Sequence, residues 1–300
     1  CYAGSKAYEF AKTNDYGIHL WVGYPQDKKT SVGTEFASVK QIKCLTIGPN
    51  ITKIGASAFK NHQTLNYICD GGADSNIALE EIGSGAFAGC KLLTTVNFST
   101  VKNLKLKKIA DNAFNGCTAL TRVDTPNDNS LAEIGSGAFA GCTKLTTLQV
   151  YNPNCVIASN ASTFATNVSL KGWSKSTAND YCNTYKRTLT KIGTSFQIIF
   201  DKNGGQGGTD KIYAYTKMNW SDIEIPAWKG HTFTGYTFNG KTLFNANGKC
   251  QVTSYVLTDD MMGNSAPVAQ WTTNTYTIAY DGNSASGSVA SPVSYTHLRA

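Results

Sequence analysis

Cysteine and histidine are the residues of this 300-residue chain whose types could do chemistry. Nine cysteines stand at positions 1, 44, 69, 90, 117, 142, 155, 182 and 250, and four histidines at 19, 62, 231 and 297. Two cysteines spaced Cys-x-x-Cys would hold zinc or cycle between dithiol and disulfide, and no pair has that spacing. His19, His231 and His297 lie in unrelated settings, and no Ser/His/Asp or Cys/His arrangement follows from spacing. Asn203-Gly-Gly-Gln-Gly-Gly208 could cradle a phosphate, but the Lys-Ser/Thr of a P-loop and its helix do not follow, so a hairpin turn is expected. Lys102, Lys105, Lys107 and Lys108 could attract an anionic glycan or nucleic acid. A solvated loop is the expected reading of that stretch. Asp259-Asp260 lacks the ligand spacing of a calcium loop. Asn-x-Ser/Thr sites at Asn50, Asn97, Asn160, Asn167 and Asn219 matter only if a eukaryote secretes the chain. No catalytic residue, metal, cofactor or nucleic-acid partner is expected.

The composition belongs to a chain that folds: 41% hydrophobic, 11% aromatic and 16% charged residues argue against disorder and against a coiled coil. Lysine and arginine exceed the acids by 27 to 20, a mild net charge of +7 without a dense basic block. No apolar run approaches the ~18–20 residues that cross a bilayer. Residue 1 is Cys rather than Met, which reads as a fragment or a processed product.

The elements that would position any site come from internal repetition. Four segments align from Ile54, Ile82, Ile109 and Ile134, at intervals of 28, 27 and 25 residues. Their anchors are Phe59, Phe87, Phe114 and Phe139, followed six residues later by Leu65, Leu93, Leu120 and Leu145, then by Ile68, Val96, Val123 and Leu148. Phe36 with Ile42 and Leu45 makes an earlier unit, and Phe164 with Leu170 a later one. Ser84, Asp111 and Ser136 stand where a helix N-cap belongs, so about one helical turn is predicted around each Ala-Phe pair. Asn61, Gly89, Gly116 and Gly141 then supply a residue that tolerates the left-handed conformation. A strand Leu-x-x-Val completes the unit. No unit has enough apolar side chains to stand alone, so the units must stack as a solenoid.

Cys90, Cys117 and Cys142 share one slot, three residues after each Phe, with His62 in that slot one unit earlier. They read as an internal ladder of small buried hydrophobes. Alternation along the strands turns Leu145, Leu148 and Val150 inward and Thr147 and Gln149 outward. The matching outward pairs are Cys44 with Thr46, Tyr67 with Cys69, Thr95 with Asn97, and Arg122 with Asp124. Thr46, Tyr67, Thr95, Asn97, Arg122, Asp124, Thr147 and Gln149 are the candidate binding residues. Cys44 and Cys69 fall in adjacent coils, which leaves their pairing open.

The repeat from about residue 32 to 170 resembles BspA-like leucine-rich repeats, whose units read I-x-x-x-A-F-x-G-C-x-x-L-x-x-V. Ser5-Lys-Ala-Tyr-Glu-Phe-Ala11 matches Ser176-Thr-Ala-Asn-Asp-Tyr-Cys182, and both read as Ser-capped amphipathic helices; in the resembled family such a helix closes an array. After Lys191 the chain turns β-rich, with Asn-Gly pairs at 203, 239 and 247 and alternating aromatics at Tyr213, Tyr215, Phe233, Tyr236, Phe238 and Phe244. Phe200-Asp-Lys-Asn-Gly-Gly205, Lys229-Gly-His-Thr-Phe-Thr-Gly-Tyr236 and Trp271 resemble a Listeria–Bacteroides repeat of the internalin B-repeat type, with a β-grasp-like fold. The expected plan is the end of an upstream array (1–20), a solenoid with closing helix (21–190), a B-repeat-like module (191–274), the start of a second copy (275–293) and a tail foreign to the fold (294–300). These resemblances imply a non-catalytic, extracellular or cell-surface bacterial protein that adheres to a protein or glycan through the solenoid sheet. The alternative is a spacer or targeting module of a larger secreted enzyme.

Overall fold

A computed structural model of the chain describes residues 1–14, 17–24, 29–70, 77–98, 104–215, 218, 220–252, 266–278 and 293–295. The chain divides into two compact units, Cys1–Ser195 and Phe196–Ala300.

The first unit is a solenoid of about six coils. Once per coil the chain passes through two parallel sheets. One contains Ile18–Val22, Ile42–Ile47, Tyr67–Asp70, Thr95–Asn97 and Arg122–Val123 in sequence order; the other runs from Ser31–Val32 through Lys53–Ile54, Glu81–Ile82, Lys108–Ile109 and Glu133–Ile134 to Val156–Ile157. A third sheet, Thr147–Gln149, Ser169–Trp173 and Leu189–Gly193, carries the stack onward. All these pairings are parallel, because each coil repeats the direction of the last.

The interior is a set of ladders, one for each slot of the repeat. The Phe slot gives six rings in one column, Phe36, Phe59, Phe87, Phe114, Phe139 and Phe164, with neighbouring centroids 5.4–6.4 Å apart and ring planes within 12°. Helix α1 (Lys6–Thr13) sets Tyr8 edge-on to Phe36 at one end, and helix α2 (Thr177–Tyr185) sets Tyr181 edge-on to Phe164 at the other. Both helices begin as expected: Ser5 accepts the Tyr8 N–H at 3.1 Å and Ser176 the Asn179 N–H at 3.1 Å. Leu65, Leu93, Leu120 and Leu145 form a second buried column, and Ile54, Ile82, Ile109 and Ile134 a third. Tyr8, Ile18, Leu20 and Val22 belong to this same core.

The predicted helical turn does not form in the four clear copies of the repeat; among the described residues only the first and last coils carry a short 3-10 turn, at Thr34–Phe36 and Ala161–Thr163. The segments 56–61, 84–89, 111–116 and 136–141 are turns, and each has a left-handed residue at both ends: Ser57 and Asn61, Gly85 and Gly89, Asn112 and Gly116, Gly137 and Gly141. A right-handed helix cannot run through such pairs. Instead, alternate N–H groups leave the coil and bond to the next one, as in Phe59 N to Ala86 O (2.7 Å), Phe87 N to Ala113 O (2.8 Å) and Phe114 N to Ala138 O (2.8 Å). The expected N-caps change role accordingly. Ser84 donates its hydroxyl to Asp111 O at 3.0 Å, and the Asp111 carboxylate accepts the Ser136 N–H at 2.7 Å. These side chains therefore tie one coil to the next rather than close a helix within their own.

The cysteine ladder is fully buried, as expected, and also polar. Cys90, Cys117 and Cys142 donate their thiols to the carbonyls of Phe59, Phe87 and Phe114 one coil back, at 3.0–3.1 Å. Burial pushes the Cys90 and Cys142 thiols up to about 12 and the Cys117 thiol up as well. His62 fills the slot with a neutral ring. Its Nδ1 accepts the Leu65 N–H at 3.1 Å, which leaves Nε2 to donate to Val39 O at 3.0 Å.

The second unit is antiparallel. Phe196–Ile199 pairs with Lys211–Ala214, and His231–Phe238 lies between Lys241–Asn245 and Val268–Thr273. Its core includes Phe200, Trp220, Phe233, Tyr236 and Phe244. No helix occurs among its described residues. The Asn203–Gly208 segment lies in the connection between the first two strands, largely exposed, with its Gly204–Gly205 corner packed against two indoles. Side chains on Gly204 or Gly205 would collide with Trp228 and Trp271, and Trp271 Nε1 donates to Lys202 O at 3.1 Å. Ser294 and Tyr295, expected outside any strand, pair with Thr277 and Tyr276; the β-prone Val293, Tyr295 and Ile278 suit that pairing. Lys102, Asp259, Asp260, Asp281 and His297 lie outside the described residues.

Candidate functional site

Parallel register fixes what the five-stranded sheet presents outward. His19 stands beside Cys44, Cys44 beside Tyr67, Tyr67 beside Thr95 and Thr95 beside Arg122. One step along the strands, Trp21 stands beside Thr46, Thr46 beside Cys69 and Cys69 beside Asn97. Asp124, directly after the last strand, donates its N–H to Val96 O and so continues this second row. Ile68, Val96 and Val123 point the other way, into the core. The sequence-derived pairs thus fall into two parallel rows. Thr147 and Gln149 flank the buried Leu148 on the third sheet in the same alternation.

Neighbours within the rows bond to one another. Asn97 Nδ2 donates to the Tyr67 hydroxyl at 2.7 Å. Arg122 grips Asp124 with two bonds, Nε to Oδ1 at 2.7 Å and the terminal nitrogen to Oδ2 at 3.1 Å. Asp124 also accepts the Phe98 N–H at 2.9 Å, so it holds the neighbouring coil as well as the arginine. A cavity of about 240 Å³ opens beside Asp124, its lining including Phe98, Leu104, Val123, Pro126 and Gln149. Thr46 lies on the same side of the sheet but is only 1% exposed, covered by its neighbours. It is a floor residue, not a contact residue. The lysines at 107 and 108 are not free either: Lys107 pairs with Glu80 at 3.0 Å and Lys108 with Glu133 at 2.8 Å, on the other sheet.

The edge of the rows holds what the sequence reading did not assemble. His19, Cys44 and Cys69 place one ligand-type atom each within 4.8 Å of the others. The two sulfurs lie 4.0 Å apart, His19 Nε2 is 2.5 Å from the Thr46 hydroxyl, and that hydroxyl is 3.3 Å from Cys69 Sγ. A Cys69 thiolate is favoured because it accepts from the Cys44 thiol first, and from Thr46 and His19 as well, so its titration moves down. The same shared bond moves Cys44 up. Trp21 leans on His19 with centroids 5.6 Å apart and packs against Tyr2 and Tyr24. The signal for the cluster was present in the numbering: His19, Cys44 and Cys69 fall in three successive coils, with Cys44 in register with His19 and Cys69 two residues past the partner of Cys44.

Residues 73–190 match the family model for the BspA type leucine rich repeat region, in six copies. No curated protein matches the chain. A leucine-rich repeat protein from Bacteroides ovatus is similar at 22% identity over 48% of this chain and 43% of its own, with a TM-score of 0.27. A leucine rich cell surface protein from Faecalibacterium prausnitzii is similar at 14% identity over 54% of this chain and 62% of its own, with a TM-score of 0.21. The chain spans less than two thirds of the length of either structure. Over residues 73–190 the coils are thus similar to the BspA type leucine rich repeat.

Proposed function

We propose that this chain is a non-catalytic binding protein, extracellular or on a bacterial cell surface, that adheres to a protein or glycan through the two outward rows of its five-stranded sheet. One observation carries the reading: the parallel register sets Tyr67, Thr95, Asn97, Arg122 and Asp124 side by side on one continuous face, beside a cavity. Hydrogen bonds within the rows hold these side chains in place before any partner arrives, which lowers the ordering cost of binding. An aromatic and an arginine are the residue types that anchor protein interfaces. Tyrosine also offers a flat apolar face and a hydroxyl suited to a sugar. The BspA-type repeats support the surface setting, and in this proposal the antiparallel, β-rich second unit serves as a B-repeat-like spacer with a β-grasp-like fold. No helix of the described residues is long and apolar enough to cross a membrane.

The test is an array of glycans and extracellular-matrix proteins probed with the full chain and with Tyr67→Ala and Arg122→Ala. Both positions are outward, so the fold survives either change. Signal from the parent chain that both variants lose supports the reading. No signal, or signal that both variants keep, overturns it.

A further inference from the structure

We propose that His19, Cys44 and Cys69 form a binding site for one thiophilic d10 metal ion, Zn²⁺, at the edge of the five-stranded sheet. The argument is geometric. Two sulfurs bound to one tetrahedral zinc through bonds of ~2.3 Å lie about 3.8 Å apart. The Cys44 and Cys69 sulfurs are 4.0 Å apart without an ion. An imidazole nitrogen from the third strand completes a set whose members all lie within 4.8 Å. Nitrogen and sulfur donors in this ratio suit zinc and exclude calcium and magnesium, which take oxygen ligands.

The backbone supplies the preorganisation. The three ligands come from three adjacent strands, Ile18–Val22, Ile42–Ile47 and Tyr67–Asp70, whose register is fixed by the stack beneath them. Thr46 forms the floor: its hydroxyl touches both His19 Nε2 and Cys69 Sγ. On loading, both sulfurs bind as thiolates, any proton still on them leaving to solvent, Nε2 exchanges the hydroxyl for the ion, and the hydroxyl stays to donate to the Cys69 thiolate. His19 is exposed and both cysteines are half-buried, so the fourth coordination position opens to water. That is the pattern of a site able to take a further ligand, rather than of a closed structural zinc.

A disulfide is the competing use of the same two cysteines, and the register opposes it. Cys69 stands beside Thr46, and Cys44 beside Tyr67, so the cysteines are diagonal neighbours two residues out of step. With strands ~4.8 Å apart and a rise of ~3.3 Å per residue, their Cα atoms lie about 8 Å apart. A disulfide closes at about 4.4–6.8 Å. The bond would require the two coils to slide, against the ladders that hold them.

The site is tested without reference to any adhesion partner. The full chain, purified with a non-chelating reductant and freed of metal, is titrated with Co²⁺ and followed by absorption; Zn²⁺ is then added. One equivalent of Co²⁺ is expected to give thiolate-to-metal charge transfer and the intense visible bands of tetrahedral cobalt, both erased by one equivalent of Zn²⁺. Cys44→Ser and Cys69→Ser each abolish the charge-transfer signal. His19→Ala weakens Co²⁺ binding at least ~10-fold, the loss that follows removal of even an outer-sphere partner. Cys250→Ser, in the other unit, changes nothing, and far-ultraviolet circular dichroism reports that each variant is folded. Unchanged binding by the Cys44→Ser/Cys69→Ser double variant overturns the proposal. So does a peptide map of the chain, isolated without reductant, in which Cys44 and Cys69 are joined.

Discussion

The column of phenylalanines makes a quantitative demand on the repeat unit. Phe87 is fully buried, with Phe59 at 5.5 Å on one side and Phe114 at 5.4 Å on the other. Phe87→Leu removes about three carbons' worth of buried apolar surface, roughly 2 kcal/mol at ~0.8 kcal/mol per methylene equivalent. It also deletes two ring-on-ring contacts, each of which adds ~0.5–1.5 kcal/mol beyond area. A double-mutant cycle isolates the contact from the area. Phe87→Leu with Phe114→Leu is expected to show a coupling of ~0.5–1.5 kcal/mol. Phe59→Leu with Phe114→Leu, two coils apart with Phe87 between them, is expected to be additive within ~0.3–0.5 kcal/mol. In a stack whose coils touch only their neighbours, coupling must end at the next coil. The assay is denaturant-dependent amide exchange read by mass spectrometry over peptides from residues 77–150, which separates the repeat unit from the second unit. Phe10→Ala, on the exposed side of α1 at 61% exposure, serves as the near-neutral control. Equal couplings for the near and the distant pair would refute the column as the organising contact.

His62 makes the repeat unit sensitive to acid. Burial holds its ring below the ordinary 6.5, and its Nδ1 is already occupied as an acceptor for the Leu65 N–H. The unfolded chain therefore takes up the proton first, and stability rises with pH wherever that holds. The contribution is complete above pH 6.5 and is lost as pH falls from there through the folded-state value. His62→Cys, which installs the residue of the next three coils, is expected to flatten the fall in urea midpoint between pH 7.5 and pH 5; an unchanged slope would place the acid sensitivity elsewhere. Lys108→Glu tests the other sheet. Lys53, Glu81, Lys108 and Glu133 stand in one row across four coils, with Lys53–Glu81 at 2.9 Å and Lys108–Glu133 at 2.8 Å. Reversing the charge puts three carboxylates side by side and is expected to cost about 1 kcal/mol at low salt, with most of it recovered in 1 M salt. A cost that ignores salt would assign the effect to packing instead.

Much of this architecture was legible in the residues. The Phe and Leu spacing identified the buried columns, Asn61 and its glycine equivalents marked a left-handed corner, and Ser5 and Ser176 marked helix starts. What was misread has a common cause. Ser84, Asp111 and Ser136 have the residue types of N-caps, and the same oxygen chemistry serves equally to bond across coils. Type alone does not say which coil supplies the partner. Gly85, Asn112 and Gly137 signalled a second left-handed corner, but Ser57 in that slot gave no such signal, and the helix reading persisted. Cys44 and Cys69 were placed in adjacent coils, but His19 was not joined to them because metal motifs are sought at short spacings within one turn. A solenoid brings together residues separated by a full coil.

The two sheets differ in what their outward residues are explained by. The Lys–Glu–Lys–Glu row on one sheet is accounted for by the stack itself, since opposite charges on successive coils favour that register and disfavour a slip by one coil. The rows on the five-stranded sheet have no such account. From His19 and Trp21 to Thr95 and Asn97 they hold eight side chains, none of them Asp, Glu, Lys or Arg, on a side of the protein that the core does not need. A face shaped only for solubility carries mixed charge. This one carries an imidazole, an indole, a phenol, two thiols and three short polar groups, held in register by the coils beneath them. The departure from solvation chemistry falls on the strands that also bring His19, Cys44 and Cys69 together. The edge of this sheet is therefore where we propose that the solenoid's regular geometry serves a use other than its own stability.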